Sequence, residues 1–315
     1  MYLEYFDIHI FRNSQQLNPT RLLQFFESHQ GRDEPLVLVT VYETEGSTYS
    51  KAGAQMLVDQ NGVFRGLLSG GCLEGDLAIR AQQVLETGSA QTVTYDLGED
   101  GDELWGMGVG CDGLMRMLLQ PLLPKDGYAP FAEIADILRG HTAAEVTIRV
   151  SGELPGDLTV QVEPPPQVLV LGAGLDAEPV VRFAAELGWR CTVFDHRQTV
   201  IDNGEFSAAT LTLCLPADEL SSELDLSRYS MAIVMSHHLV SDRSYLRQLA
   251  DTQVAYVGLL GPKNRRDRLL GEIGVAAADL EPRLFGPAGL DLGGRGPEPI
   301  ALSIVAQMQQ ELHSD

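Results

Sequence analysis

The second half of the chain alternates short apolar runs with amphipathic segments, and this alternation constrains the fold most. Strands are predicted at Val168–Leu171, Arg190–Phe194, Thr210–Leu213, Met231–Ser236 and Val254–Leu259. Apolar residues at helical spacing predict helices at Ala177–Leu187, Asp242–Ala250, Asn264–Ile273 and Pro297–Leu312. Because such alternation is typical of a parallel sheet with helices on both faces, this half is predicted to be a doubly wound α/β domain.

The first half lacks this alternation and is predicted to be mixed α+β. Helices are expected at Pro19–His29, after Gly70-Gly71 and at Ala132–Leu138; strands are expected at Leu36–Tyr42, Ala54–Val58, Gly62–Leu68, Thr92–Tyr95, Leu114–Leu119, Val146–Val150 and Leu158–Val162. Pro164-Pro165-Pro166 is stiff and cannot join a sheet ladder, so it is interpreted as a linker. The predicted domains are therefore residues 1–163 and 164–315.

Charge and cysteine usage limit the function. The chain has 44 acidic and 22 basic residues, a net charge of −22, which argues against general binding to nucleic acid or anionic membranes. No apolar run reaches the roughly 18 residues of a membrane span, and Met1–Asp7 has no basic signal region. We therefore expect a cytoplasmic protein without a membrane span. Its four cysteines form no CxxC pair and should be free thiols, with Cys191 and Cys214 buried in predicted strands.

One motif in the second half points to a nucleotide. Gly172-Ala173-Gly174 follows a predicted strand and opens a predicted helix, whose N-terminal N–H groups could bind a phosphate. Asp195 lies 21 residues after Gly174, where a Rossmann fold places the acid that binds a ribose. Arg197 would face the same side and could host a 2′-phosphate, although Asp195 favours NAD or AMP. The alternative is a Rossmann-like turn with no nucleotide, which the negative charge of Asp176 favours.

Further candidates follow later strands of the same predicted sheet. His237, His238 and Asp242 could bind a metal or act as acid–base groups, or the segment could be a loop in which Asp242 caps the next helix. Glycine-rich segments that could hold an anion contribute Gly261, Gly289, Gly293 and Gly294. For the basic cluster that contains Gly261 the alternative is a solvated helix face, and for the other three glycines it is a structural loop.

Two glycine-flanked cysteines are the main candidates in the first half. Gly70 and Gly71 precede Cys72, with Glu74 two residues later, and Gly110 precedes Cys111. A helix N-terminus favours a thiolate, and soft thiolates suit transition metals and sulfur-bearing ligands. Cys72 and Cys111 are therefore the predicted metal ligands. The alternative for Cys72 is a buried structural cysteine, and the alternative for the segment of Cys111 is a turn at the entry to a strand.

Taken in order, these motifs resemble the XdhC/CoxI family. The first half carries Gly46-Ser47-Thr48, Gly53–Val58, Gly70–Glu74 and Gly110–Gly113, and the second half carries Gly172-Ala173-Gly174, Asp195-His196-Arg197, Ser236-His237-His238, Tyr256–Gly261 and Gly286–Gly294. The resemblance covers nearly the whole chain from about Glu34. It implies a Rossmann-like second domain after a family-specific first domain.

The resemblance also implies a function. Such proteins bind molybdenum cofactor (molybdopterin), assist its sulfuration with a cysteine desulfurase, and help to insert it into a xanthine dehydrogenase-type or CO dehydrogenase-type client. Cys72 and Cys111 would contact the molybdenum or its sulfur, and the Rossmann half would bind NAD, another nucleotide or the cofactor's tail. The expectation is a maturation chaperone without turnover of its own, with a homodimer as the default assembly. The alternatives are an NAD(P)-dependent oxidoreductase and a scaffold without a ligand.

Overall fold

The protein, seen in a computed structural model, is described at residues 11–12, 18–97, 113–148 and 156–314. It divides into two compact units, Met1–Pro165 and Pro166–Asp315. The first contains β1 (Phe11–Arg12), α1 (Pro19–Gln30), β2 (Leu36–Gly46), β3 (Gln55–Asp59), β4 (Phe64–Arg65), α2 (Glu74–Thr87), β5 (Gln91–Asp96), β6 (Gly113–Leu122), α3 (Phe131–Arg139), β7 (Ala144–Ile148) and β8 (Leu158–Val162).

The second unit contains β9 (Gln167–Leu171), α4 (Ala177–Glu186), β10 (Arg190–Asp195), α5 (Gln198–Asn203), β11 (Leu211–Cys214), α6 (Leu220–Glu223), β12 (Met231–Val234), α7 (Leu239–Ala250), β13 (Tyr256–Leu259), α8 (Lys263–Ile273), α9 (Ala277–Leu280), β14 (Leu284–Phe285) and α10 (Pro297–Leu312). None of the helices within the described ranges is long and apolar enough to cross a membrane.

The first unit is built on an antiparallel sheet with strand order β4-β3-β2-β6-β5. Its central strand β2 is apolar on both faces at its start: Leu36 and Leu38 pack with α1 and α3, whereas Val37 and Val39 pack with α2. A continuous apolar run suits a strand that is covered on both sides. A second, small sheet with the order β1-β8-β7 adds its buried residues to the core on the α1 side.

One predicted strand of the first unit is much shorter than expected. The apolar run Gly62–Leu68 predicts a full strand, but β4 contains only Phe64 and Arg65. The reason is local, because the backbone N–H group of Leu68 donates to the carboxylate of Glu74 and not to a neighbouring strand. A buried side-chain acceptor thus replaces the ladder at this point.

The second unit has a parallel sheet with strand order β11-β10-β9-β12-β13-β14. Counted within the unit, this is the order 3-2-1-4-5-6 of the Rossmann fold. Helices α4 and α10 cover one face and α7 and α8 cover the other, so the predicted doubly wound α/β fold is confirmed. The short elements β14, α5, α6 and α9 were not predicted, because two to six residues are too few to show a period.

Candidate functional site

Cys72 lies in a glycine-rich turn that leads into α2. We call residues Ser69–Leu73 the cysteine turn. The Cys72 side chain is exposed, which excludes a buried structural cysteine. Gly70 and Gly71 have φ values of 78° and 110°, and, apart from the adjoining residues, no heavy atom of the described part of the chain lies within 4 Å of the position that a Cβ on Gly71 would take. The thiol is therefore reachable, and the backbone beside it borders open space.

The carboxylate of Glu74 holds the cysteine turn together from inside. Its Oε1 accepts hydrogen bonds from the N–H groups of Leu68 and Ser69, both at 2.9 Å. Its Oε2 accepts from the hydroxyl of Ser69 at 2.5 Å and from the N–H group of Gly71 at 3.0 Å. A carboxylate has about four acceptor sites, so all of them are occupied by the turn. Glu74, a predicted cofactor ligand, thus binds its own loop in this structure.

These hydrogen bonds decide the ionisation of Glu74, which is only 1% exposed. Burial raises the pKa of this carboxyl, but the hydrogen bonds from the hydroxyl and N–H group of Ser69 and from the N–H group of Leu68 outweigh it. The pKa of Glu74 therefore lies below its ordinary value. At neutral pH the turn contains a buried, fully hydrogen-bonded carboxylate, which fixes the backbone around Cys72.

The cysteine turn and the start of β6 border the same loop. The ring of Tyr49 lies 3.4 Å from the position that a Cβ on Gly70 would take. The methyl group of the preceding residue, Thr48, lies 2.6 Å from the corresponding position on Gly113. Gly113 follows Cys111 by two residues in the sequence. Two adjacent loop residues thus connect the cysteine turn to the strand that follows Cys111.

A hydrogen bond makes a second connection at this end of the unit. The hydroxyl of Tyr95, near the end of β5, donates to Oδ2 of Asp76 at 2.5 Å, and Arg80 contacts the same oxygen at 2.6 Å. Burial, followed by the bond to Asp76, raises the pKa of Tyr95. Asp76 lies in the first turn of α2, directly after the cysteine turn. The end of β5, after which the segment with Cys111 begins, is therefore tied to this helix.

The predicted metal pair falls only partly within the described structure. Gly110 and Cys111 lie outside the described residues. Among the residues that are described, no group of three or more His, Cys, Asp or Glu side chains is arranged to hold a metal ion. The pairing of Cys72 with Cys111 therefore stays a prediction.

In the second unit, Gly172 brings the first loop of the Rossmann fold against the fourth strand. Its N–H group donates to the carbonyl of Phe194 at 2.9 Å, and its φ is 121°. A Cβ at this position would lie 2.5 Å from the backbone of Ser236, so only glycine fits. This close approach lies at the point where the strand order reverses, the usual ligand position in such sheets.

Asp195 ends β10 as predicted, but its carboxylate is already paired. It is fully buried, and Arg197 donates to it from Nε at 2.9 Å and from Nη2 at 2.7 Å. The backbone N–H groups of Ala173 and Arg197 add bonds of 2.8 and 2.9 Å. Burial raises the pKa of Asp195, but these bonds outweigh it and hold the pKa below its ordinary value. In this arrangement no acceptor site of Asp195 is left for a ribose hydroxyl.

His237 lies across the glycine loop. It has a φ of 58°, rare for a residue with a side chain, and its Nε2 is 3.1 Å from Oδ2 of Asp176. Its ring carbon Cδ2 lies 3.8 Å from the position that a Cβ on Gly174 would take. The imidazole and the carboxylate therefore cover the part of the loop where a pyrophosphate would bind in a Rossmann nucleotide site.

Comparison with known proteins decides the family. Residues 29–96 match the model of the XdhC and CoxI family, and residues 168–308 match that of the XdhC Rossmann domain. A crystal structure described as a xanthine dehydrogenase from Bacillus halodurans has a TM-score of 0.77 and 31% identity, and the match covers 92% of this chain and 95% of that one. The chain belongs to the XdhC and CoxI family. The resemblance inferred from the motifs is thus confirmed.

Relatives of this XdhC/CoxI chain carry two kinds of name. A probable xanthine dehydrogenase subunit from Bacillus subtilis (strain 168) is 29% identical over 313 residues, covering 88% of this chain and 93% of the relative. The molybdenum cofactor insertion chaperone PaoD of Escherichia coli (strain K12) is 24% identical over 300 residues, covering 89% and 84%. Each match extends over both units.

The remaining predicted glycines of the XdhC Rossmann domain lie in loops after the carboxyl ends of β13 and β14. Gly261 sits against the side chain of Arg265, and the N–H group of Gly289 donates to Oε1 of Gln307 at 2.7 Å. These two glycines thus contact other residues of the same domain. Gly293 has open space around it. Gly294 lies against Pro299 at the start of α10.

The other two cysteines of this family member differ from each other. Cys191 is fully buried, and burial raises its pKa to about 12, so its thiol stays protonated, as expected for an inert core residue. Cys214 was also expected to be buried, and this was wrong, because it is only half-buried. The reason is that β11 is the edge strand of the sheet.

The other two candidates of this loop, His238 and Asp242, belong to a polar network beside the Rossmann crevice, and His238, not Asp242, caps α7. Asp242, only 1% exposed, accepts from the hydroxyl of Ser236 at 2.5 Å and from Nη2 of Arg265 at 2.6 Å. The rings of His196 and His238 lie 5.6 Å apart. The order Ser-His-His after a strand is visible in the sequence, but no local signal shows that Asp242 pairs with an arginine 23 residues later.

Proposed function

We propose that this chain is an accessory factor that binds molybdenum cofactor and delivers it to a xanthine dehydrogenase-type enzyme. The observation that carries the proposal is the exposed Cys72 in a turn fixed by a buried carboxylate. A soft thiolate suits molybdenum or its sulfur. The family membership and the name of the E. coli relative support cofactor binding, and the B. subtilis and B. halodurans names support the class of client.

The cofactor is the cargo of this protein, and we assign its metal end to the first unit. Cys72 and Cys111 would contribute the two thiols, which the shared loop of Thr48 and Tyr49 would bring to one end of the sheet. The turn around Cys72 is preorganised by Glu74, so little ordering is needed when the cargo binds. Support for the second thiol comes from the position of Gly113, two residues after Cys111 in the sequence.

The proposal also covers the source of sulfur, a second class of client, the assembly and the compartment, none of which the family name states. A cysteine desulfurase would supply sulfur for the sulfuration of the bound cofactor, and a CO dehydrogenase-type enzyme is the second class of client. The exposed thiol of Cys72 is the group that such a donor could reach. We also propose that the factor acts as a homodimer in the cytoplasm.

The alternative of an NAD(P)-dependent oxidoreductase is less well supported by the geometry. Asp195 is saturated by Arg197 and the N–H group of Ala173, and the pair of His237 and Asp176 covers the phosphate loop. Calorimetric titration of the full chain with NAD, NADP and AMP separates the possibilities. The geometry predicts that the Rossmann crevice itself binds none of the three tightly and supports no NADH turnover, and tight NAD binding together with NADH turnover would restore the oxidoreductase.

The main experiment measures cargo binding directly. The full chain and its Cys72→Ser and Cys111→Ser variants are incubated with molybdenum cofactor and desalted, and the retained molybdenum is determined by mass spectrometry. Each variant should retain much less molybdenum than the parent protein. Cys214→Ser, which removes a half-buried thiol of the other unit, is the matched control. Equal retention by the parent and Cys72→Ser would contradict the proposal.

A further inference from the structure

A cavity of about 680 Å³ lies between α1 and β4 in the first unit. Helix α1 contributes Arg21, Gln24, Phe25 and Ser28, whose spacing places them on one face of the helix, and β4 contributes Phe64 and Arg65. Gly66 completes the lining. This face of α1 is distinct from the one that packs in the core through Leu22, Leu23 and Phe26. The volume is in the range of small-molecule sites.

The charge of this cavity is opposite to that of the chain. The protein has a net charge of −22, yet the described residues that line the cavity include two arginines and no carboxylate. Among the described residues, no carboxylate forms an ion pair with Arg65, which donates from Nη1 to the carbonyl of Phe64 at 2.8 Å. Its other guanidinium donors leave a fork of the kind that binds phosphate oxygens.

Aromatic surface lies beside these arginines. Phe25 and Phe64 are only half-buried, although phenylalanine is usually buried more completely. The guanidinium carbon of Arg65 lies 5.5 Å from the centre of the Phe25 ring, so the ring supports the guanidinium plane. A flat heterocycle could stack against such a surface while an attached phosphate reaches the arginines.

We infer that this cavity is a binding site for a flat heterocycle that carries a phosphate group. Arg65 would bind the phosphate, and Phe64 would contact the ring. A purine nucleotide and a phosphorylated pterin share this chemistry. With a pterin as ligand the inference rests on the proposed function and assigns the organic end of the cargo, whereas with a nucleotide it goes beyond that function; in both cases it involves neither Cys72 nor the Rossmann crevice.

The test is calorimetric titration of the full chain with guanosine 5′-monophosphate and, in a second arm, with neopterin phosphate. The tighter ligand identifies the source, and either result supports the site. Guanosine and ribose 5-phosphate, which each lack one half of the ligand, should bind more weakly. Arg65→Gln should weaken the binding of the phosphorylated ligand about tenfold or more, and Phe64→Leu about fivefold or more.

Matched variants separate this site from general charge effects and from the other proposal. Arg182 lies 5.4 Å from the ring of Phe183 in the other unit, so Arg182→Gln removes a similar arginine and should leave binding unchanged. Arg65→Lys, which keeps the charge but loses the fork, should give an intermediate affinity. Cys72→Ser should keep nucleotide binding even if it loses the molybdenum cargo.

Three results would overturn the inference. They are the absence of binding of either phosphorylated ligand up to about 1 mM, unchanged affinity in both Arg65 variants with native thermal unfolding, and equal weakening by Arg182→Gln.

Discussion

Replacing Glu74 with glutamine should loosen the cysteine turn. The substitution keeps the shape of the side chain and one acceptor oxygen, which can still bind the N–H groups of Leu68 and Ser69. The new amide NH₂ group then faces the N–H group of Gly71, which donates to Oε2 in the parent protein. Two donors now face each other in a buried site, and the N–H group of Gly71 loses its partner.

The magnitude follows from these contacts. Leaving a buried donor without a partner costs about 1–3 kcal/mol, and hydrogen bonds to a charged acceptor are worth more than those to a neutral one. We therefore expect the turn to be destabilised by about 2–4 kcal/mol. This is a large fraction of the 5–15 kcal/mol that typically stabilises a domain.

The effect should depend on pH in one direction. The folded-state pKa of Glu74 is below its ordinary value of 4.5, so the carboxylate contributes its full stabilisation above about pH 4.5. That contribution is lost as the pH falls through the lower folded-state pKa. Because glutamine does not titrate, the difference between the parent and Glu74→Gln should be constant near neutral pH and should shrink in acid.

The assay is hydrogen–deuterium exchange of the full chain, because two units do not give a single unfolding free energy. The amides of Leu68, Ser69 and Gly71 should exchange about 30-fold faster or more in Glu74→Gln. Glu86→Gln is the control, since Glu86 is an exposed carboxylate on the same helix. Equal exchange in the two variants would refute the role assigned to Glu74.

Three further predictions concern single positions. Gly172→Ala should prevent folding of the second unit or destabilise it severely, because the added Cβ would meet the backbone of Ser236. The control is Gly271→Ala in an open position of α8, which should be neutral or stabilising by about 1 kcal/mol. Thermal unfolding compares the two variants. Asp195→Asn should destabilise the second unit by about 1–3 kcal/mol, because the N–H groups and the arginine that donate to Asp195 lose a charged acceptor, as measured by the same method. Iodoacetamide should modify Cys72 in the folded protein and Cys191 only after unfolding, as followed by mass spectrometry.

Much of the fold could be predicted from local patterns. The alternation after Pro166 led to the parallel sheet, because period and turn residues are local properties of the chain. In the first unit, most element positions agreed to within a few residues; the exceptions are the two-residue strand β1, which was not predicted, and β4, which is shorter than predicted. Its length depended on a carboxylate nine residues after Arg65, which no period of apolar residues could show.

The residue types around the site were also readable from the sequence: a cysteine beside two glycines, a glycine loop, and an acid at the end of the second Rossmann strand. Their roles were decided by tertiary contacts. Asp195 faces Arg197 and not a ligand because the fold buries both oxygens against the loop at Ala173. Arg21 and Arg65 form one cavity because α1 packs beside β4. Local patterns specify which groups a chain carries, whereas burial and packing determine which of those groups bind one another and which remain open to a ligand.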